Sequence, residues 1–162
     1  MRVDKLKIPY YPTPYKVVKR MIQLANLRPQ ERLIDLGSGD GRIPITTALI
    51  HDDVFCYGVE LNQGLISIAE KRIKRMGLKE RVKIINGDLF KIDLAKYDVI
   101  TVYLTVPALN VLKDKFKDFL IKGGRIISHD YGIPGFKPIL AEPVVEGGRR
   151  HFLYLYTVKS VH

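Results

Sequence analysis

The sequence predicts an α/β fold: a doubly wound, mostly parallel sheet of seven strands that ends in a C-terminal antiparallel hairpin. Three observations predict it. Five short apolar, β-branched runs alternate with stretches of helical periodicity, as parallel strands joined by right-handed crossovers do. The first run ends in a glycine-rich turn that opens a helix, Asp35-Leu36-Gly37-Ser38-Gly39-Asp40-Gly41. Beyond residue 130 the helical pattern stops, and two more strand-like runs flank Gly147-Gly148-Arg149-Arg150, which is a hairpin signal.

The elements follow in order. Residues 1–12 are irregular and rich in Pro and Tyr. Thr13 then reads as a helix N-cap, with Pro14 at the first helical position. Val17, Val18, Met21, Ile22 and Ala25 give that helix an apolar stripe. Strand 31–36, helix 41–51, strand 54–60, helix 63–77, strand 82–86, strand 98–103, helix 108–121 and strand 125–129 complete the alternating set. The segment Gly132-Ile133-Pro134-Gly135-Phe136-Lys137-Pro138 is too broken for a helix, so the crossover after the fifth strand is expected to be short or non-helical. Runs 139–145 and 151–158 form the hairpin. The 162 residues read as one domain: an arm over 1–12, an α/β core over 13–130 and a hairpin region over 131–162.

Composition narrows the function classes. Hydrophobic residues make up 46% and charged residues 27%, the balance of a globular chain. No apolar run approaches the ~20 residues of a membrane span, and the N-terminus carries no signal-like apolar stretch. The expected location is cytoplasmic. Cys56 is the single cysteine, which excludes an internal disulfide and a cysteine-based zinc cluster. His51, His129, His151 and His162 show no metal-ligand spacing, so no metal is expected. The abundance of Lys, Ile, Tyr and Val with few Asn and Gln resembles thermophile usage. The net charge of +10, from 27 basic and 17 acidic residues, allows contact with nucleic acid; it equally describes solvated helix faces.

The candidate site lies at the carboxyl ends of the strands, where doubly wound folds bind ligands. Gly37, Gly39 and Gly41 sit on alternate positions, so backbone N–H groups can approach a ligand closely. A dinucleotide fingerprint would need a small residue at Arg42, and is excluded. Glu60 ends the second strand about 20 residues past the glycines, the place of a carboxylate that holds a ribose diol. Asp88 follows the third strand, so strands one to three all end in acids. Each acid has a plainer reading: Asp35 as a helix cap, Glu60 and Asp88 as solvated strand ends. His129 and Asp130, at the end of the fifth strand, could line the same edge, but read better as a solvent-exposed strand end.

The run Asp-x-Gly-x-Gly-x-Gly from Asp35 resembles motif I of the class I S-adenosylmethionine-dependent methyltransferases. Joined with Pro9-Tyr10-Tyr11-Pro12-Thr13-Pro14 and Gly58-Val59-Glu60-Leu61-Asn62, it resembles a small group of seven-β-strand protein lysine methyltransferases. That group has crenarchaeal members of broad specificity that act on chromatin proteins. The resemblance covers nearly the whole chain and implies a Rossmann-like methyltransferase fold, an archaeal thermophile's enzyme and S-adenosylmethionine as cofactor, with S-adenosylhomocysteine as product. It implies cofactor contacts from Tyr10, Thr13, Asp35, Gly37, Ser38, Gly39, Glu60, Leu61, Asn62, Asp88, Leu89, Tyr103 and Leu104. Tyr103 and Thr105 would line the acceptor channel as catalytic residues, and Tyr10 and Tyr11 would close over it as a lid. Tyr103-Leu104-Thr105-Val106-Pro107 departs from the Asn/Asp-Pro-Pro-aromatic motif that many amino-methylating enzymes carry. The expected substrates are lysine-bearing proteins, DNA-bound chromatin proteins among them. An RNA methyltransferase and a non-catalytic nucleic-acid-binding protein are the other readings.

Overall fold

A computed structural model describes Leu6 and residues 8–161; of the expected arm, residues 1–5 and 7 lie outside the described residues, as does His162. Seven strands form one sheet in the order β3-β2-β1-β4-β5-β7-β6. They are β1 (Arg32–Leu36), β2 (Phe55–Glu60), β3 (Val82–Asn86), β4 (Val99–Val102), β5 (Arg125–His129), β6 (Leu140–Glu146) and β7 (Arg149–Tyr156). β1 to β5 run parallel, while β7 pairs antiparallel with both β5 and β6. The strand order reverses between β1 and β4, which creates a crevice at their carboxyl ends.

Residues that alternate along a strand face opposite sides of the sheet. On one side, Leu33, Val99 and Ile127 pack against the stripe of α1 (Tyr15–Ala25). Farther along that side, Cys56 and Val82 meet Ile45 and Ala48 of α2 (Arg42–Ile50) and Ile73 of α3 (Gln63–Arg75). On the other side, Ile34, Ile100, Val102 and Ile126 pack against Leu109, Leu112, Phe116 and Leu120 of α4 (Val106–Ile121). Each fully buried apolar side chain of this kind contributes about 1.5–3 kcal/mol. No α-helix lies between β5 and β6 among the described residues, as the broken sequence there implied; Ile133 and Phe136 cover the sheet instead.

Three boundaries differ from the sequence reading for identifiable reasons. Thr13 does not cap α1: Pro14 flanks the helix with extended backbone, and no side chain accepts from its first N–H groups. The Thr13 hydroxyl instead lies 3.2 Å from His129 Nδ1, a partner 116 residues away. Helix α4 starts two residues earlier than expected because Thr105 is its cap, accepting from the Ala108 N–H across 3.4 Å. The hairpin turn is tighter than the sequence suggested. Gly147 and Gly148, at φ 59° and 73°, make the whole connection, and Arg149 and Arg150 already belong to β7.

Candidate functional site

A cavity of about 710 Å³ opens at the carboxyl ends of β1, β2 and β3, between the glycine loop and the described part of the N-terminal arm. Asp35, Glu60 and Asp88 all line it, so the three strand-end acids do converge. None is an idle strand end. Asp35, 4% exposed, accepts from Thr101 Oγ1 across 2.8 Å, and is no helix cap, since Gly41 takes that place at α2. Burial, with help from the nearby charges of Glu60 and Asp40, pushes its carboxyl up to about 7 even though Thr101 favours the ionised form.

Glu60 accepts from three backbone N–H groups, those of Gly39 at 2.8 Å, Leu61 at 2.9 Å and Asn62 at 3.0 Å. It therefore pins the glycine loop to the tip of β2. Asp88 accepts from the Phe90 N–H at 2.9 Å and so starts the short 3₁₀ turn Leu89–Lys91. Asn62 plays the same part for α3 by accepting from the Leu65 N–H, and Leu61 stands exposed at the rim.

Gly37, Ser38 and Gly39 form the cavity floor. Gly39 has φ 56°, and a β-carbon there would fall 2.5 Å from the Tyr10 ring, so the loop and the arm touch only because this residue is glycine. Ser38 Oγ is buried with no hydrogen-bond partner among the described residues. Leu89 and Leu104 are mostly core: both belong to the α4-side cluster. Leu104 is the one expected cofactor contact outside this cavity; it lines a neighbouring one.

Arg42, whose size excluded the dinucleotide fingerprint, braces the site. It pairs with the buried Asp40 at 2.8 Å, donates to the Thr13 carbonyl at 3.1 Å and lies 4.9 Å over the Tyr15 ring. Arg72 of α3 adds a second pair to Asp40 at 3.0 Å. Burial works against the Asp40 charge, but Arg42 and Arg72 outweigh it and hold the carboxyl below the usual range. Sequence reading missed Asp40 because its partners come from two different helices.

The neighbouring cavity, of about 440 Å³, shares Ile8, Pro9, Tyr11 and Tyr103 with the first and continues past Thr105 to Asp130, Tyr131 and Arg149. Tyr10 and Thr13 line the first cavity only. Tyr103 thus stands between the two. Its hydroxyl donates to Asp130 Oδ2 across 3.1 Å, and its ring stacks on His129 with centroids 3.8 Å apart. Thr105 reaches the second cavity, although its hydroxyl is committed to the α4 cap.

His129 and Asp130 are not the solvent-exposed strand end expected from the sequence. His129 is fully buried, held between Thr13 and His151, with 2.9 Å from its Nε2 to His151 Nδ1. Burial pushes its imidazole down to about 4, against the pull of Asp130, so it is neutral at pH 7. Asp130 takes Tyr103, the Phe152 N–H at 3.1 Å and Arg149 at 2.7 Å. Burial raises its carboxyl, but Arg149, His129 and the Phe152 N–H prevail and keep it below the usual range. Ligand atoms of His129, Asp130 and His151 lie within 4.8 Å of one another, a grouping invisible in sequence spacing. The His129–His151 hydrogen bond and the pairing of Asp130 with Arg149 and Tyr103 account for it. The hairpin assembles this cluster, and the sequence holds no local sign of that contact.

The comparisons agree with the geometry. A family model described as the ANTKMT methyltransferase domain matches residues 35–140. A protein-lysine N-methyltransferase of Saccharolobus islandicus is 36% identical over 93% of this chain and 94% of its own length. The mouse adenine nucleotide translocase lysine N-methyltransferase is 31% identical over 93% of this chain, which spans 64% of that longer protein. Among solved structures, an RNA methyltransferase from Salinibacter ruber in complex with S-adenosyl-L-homocysteine superposes with a TM-score of 0.83 at 34% identity, over 91% of this chain and 94% of that one. With a Rossmann-like sheet, a glycine loop and the family match in agreement, the chain belongs to the ANTKMT methyltransferase-domain family of S-adenosylmethionine-dependent enzymes.

Proposed function

We propose that this protein transfers a methyl group to lysine amino groups of proteins. The observation that carries this reading is the pair of cavities divided by Tyr103: one walled by acids and a glycine loop, the other by aromatic and apolar groups with the paired Asp130 and Arg149. The names of the archaeal and mouse relatives support the acceptor class.

The first cavity fits the cofactor. The glycine loop forms part of its wall, and Glu60 and Asp88 offer carboxylate oxygens to hydroxyl and amino groups. Asp35, Gly37, Ser38 and Gly39 would hold the amino-acid tail; Glu60, Leu61 and Asn62 the ribose; Asp88 and Leu89 the base, with Tyr10 and Thr13 closing the near side and Leu104 behind Gly37. S-adenosylmethionine bound there would supply an electrophilic methyl group to an uncharged amine. A lysine in solution is protonated, with a pKa of about 10.4. Passage between Tyr11, Ile8 and Tyr103 strips water from the ammonium and favours its neutral form. Alignment within the channel supplies most of the acceleration. The Tyr103 ring, fixed on His129, sets the channel's width, and Thr105 holds the turn that carries it.

Basic, DNA-bound chromatin proteins are the substrates we favour. The charge of +10 would repel such proteins alone, yet draws the enzyme to the nucleic acid beneath them. We place the enzyme in the cytoplasm of an archaeal thermophile; no helix among the described residues is long and apolar enough to cross a membrane. The same charge, with the printed activity of the Salinibacter protein, supports RNA as a second acceptor reading. Incubation of cell extract with methyl-labelled cofactor, followed by protease or ribonuclease, tests both. Label released by protease alone supports lysine transfer; label released by ribonuclease alone sinks it.

A further inference from the structure

The second cavity contains one acidic side chain, Asp130, and one cation, Arg149, and the two are paired. Their exposures differ sharply. The Asp130 side chain is 11% exposed at the end of β5, whereas that of Arg149 is 52% exposed at the first residue of β7. The carboxylate is built in. Its Oδ1 accepts from the Phe152 N–H and its Oδ2 from the Tyr103 hydroxyl. The guanidinium reaches it from the solvent side, on a long side chain, and a half-exposed pair of this kind is weak. Arg149 Nη2 lies 2.7 Å from the oxygen that also takes the Tyr103 hydroxyl, so the cation sits beside the residue that divides the two cavities.

We propose that Asp130 is the receiving carboxylate for the substrate's ammonium group, and that Arg149 occupies this place in the free enzyme until the substrate displaces it. This rests on the lysine reading and adds to it an encounter site: Asp130 holds the amine as its charged ammonium, which gives up its proton to solvent as the nitrogen leaves the carboxylate and moves past Tyr103. The exchange swaps one cation for another on the same oxygens, so Asp130 is never left as an unpaired, largely buried charge, a state that would be strongly unfavourable. It places the incoming nitrogen next to the Tyr103 hydroxyl, on the wall shared with the cofactor cavity. Arginine and lysine differ in a useful way here. The Arg149 guanidinium cannot accept a methyl group through this reaction without first losing a proton it holds far more tightly than an ammonium does, so the resident cation is inert where the arriving one is a substrate.

Two variants separate this from a purely structural pair. Asp130 has φ 64°, a conformation asparagine adopts readily, and an asparagine Oδ1 can still accept from the Phe152 N–H. Asp130→Asn therefore removes charge with little change of fold, and Arg149→Gln removes the competing cation. Binding of n-butylammonium chloride, in saturating S-adenosylhomocysteine, is measured by calorimetry beside KM and kcat for protease-sensitive labelling of extract protein. We expect Asp130→Asn to weaken n-butylammonium binding and raise KM tenfold or more, and Arg149→Gln to tighten both two- to fivefold. S-adenosylhomocysteine affinity should be unchanged in each. Opposite signs support displacement. Equal losses in both variants, or an unchanged KM in Asp130→Asn while the wild type labels protein, overturn it and leave the lysine reading standing. Wild-type label that is sensitive only to ribonuclease overturns both.

Discussion

Thr101 and Asp35 are register partners on adjacent parallel strands, and the Thr101 hydroxyl gives the buried carboxylate its one side-chain hydrogen bond among the described residues, at 2.8 Å. A single neutral donor is too little to stabilise a charge at that depth, which is why the carboxyl titrates near 7.

Asp35 therefore destabilises the free enzyme at alkaline pH. The folded state holds a proton up to about 7 that the unfolded chain releases near 4, so stability falls as pH rises between those values. Displacing the titration that far costs about 4 kcal/mol, felt in full above pH 7. Asp35→Asn should raise Tm at pH 8 more than at pH 5, while cofactor affinity by calorimetry drops. A Tm difference that does not change with pH would show that Asp35 is not the group responsible.

His129 carries the opposite sign. Its imidazole titrates near 4 when folded and near 6.5 when unfolded, so the unfolded chain takes up a proton first as pH falls. Stability is lost between about pH 6.5 and 4, by roughly 3 kcal/mol. Asp35 titrates with the opposite sign over the same range and is common to both proteins, so the readout is a difference: between pH 7 and 4.5, urea unfolding should show the wild type losing roughly 2 kcal/mol relative to His129→Asn, and a constant difference would clear His129.

At Gly39 an alanine would be strained by the positive φ and would push the half-exposed Tyr10 ring aside. Because the ring can swing outward, we expect Gly39→Ala to cost about 1–2 kcal/mol of stability, the range for a non-glycine residue in the left-handed region. Cofactor affinity should fall about tenfold or more. Loss of affinity without movement of Tyr10, read from tyrosine fluorescence or a crystal structure of the variant, would place the effect in the loop alone.

For Tyr103→Phe the ring remains stacked on His129 but the bond to Asp130 goes. A hydrogen bond to a charged group contributes about 1.5–3 kcal/mol, here to holding the ring and Asp130 in place, so we expect turnover to fall. Cofactor affinity should stay within twofold. Unchanged turnover would confine Tyr103 to a wall.

Most of the donor side could be read locally. The apolar runs of β1 and β2, the glycine loop and the acids at 35, 60 and 88 are each encoded within a few residues, and adjacent strands bring them together without further information. The acceptor side was harder to see. His129 looked like an exposed strand end because nothing near it in sequence shows that Thr13 and His151 enclose it from opposite ends of the chain. Thr13 and Thr105 mislead in opposite directions: the better-looking cap serves the histidine, and the residue expected at the chemistry is the true cap. Propensity ranks a threonine's options, but long-range partners decide between them.

The antiparallel insertion of β7 between β5 and β6 divides labour along the sheet. Under the proposed function, β1, β2 and β3 would serve the nucleoside half of the reaction, and β5 and the hairpin the half that meets the acceptor. A two-glycine link is the sole tether at the hairpin's tip, and the residues just beyond it carry no part of the nucleoside grip. Under the proposed function, sequence change in the hairpin would therefore reshape the second cavity, through Arg149, and leave the lining of the first untouched.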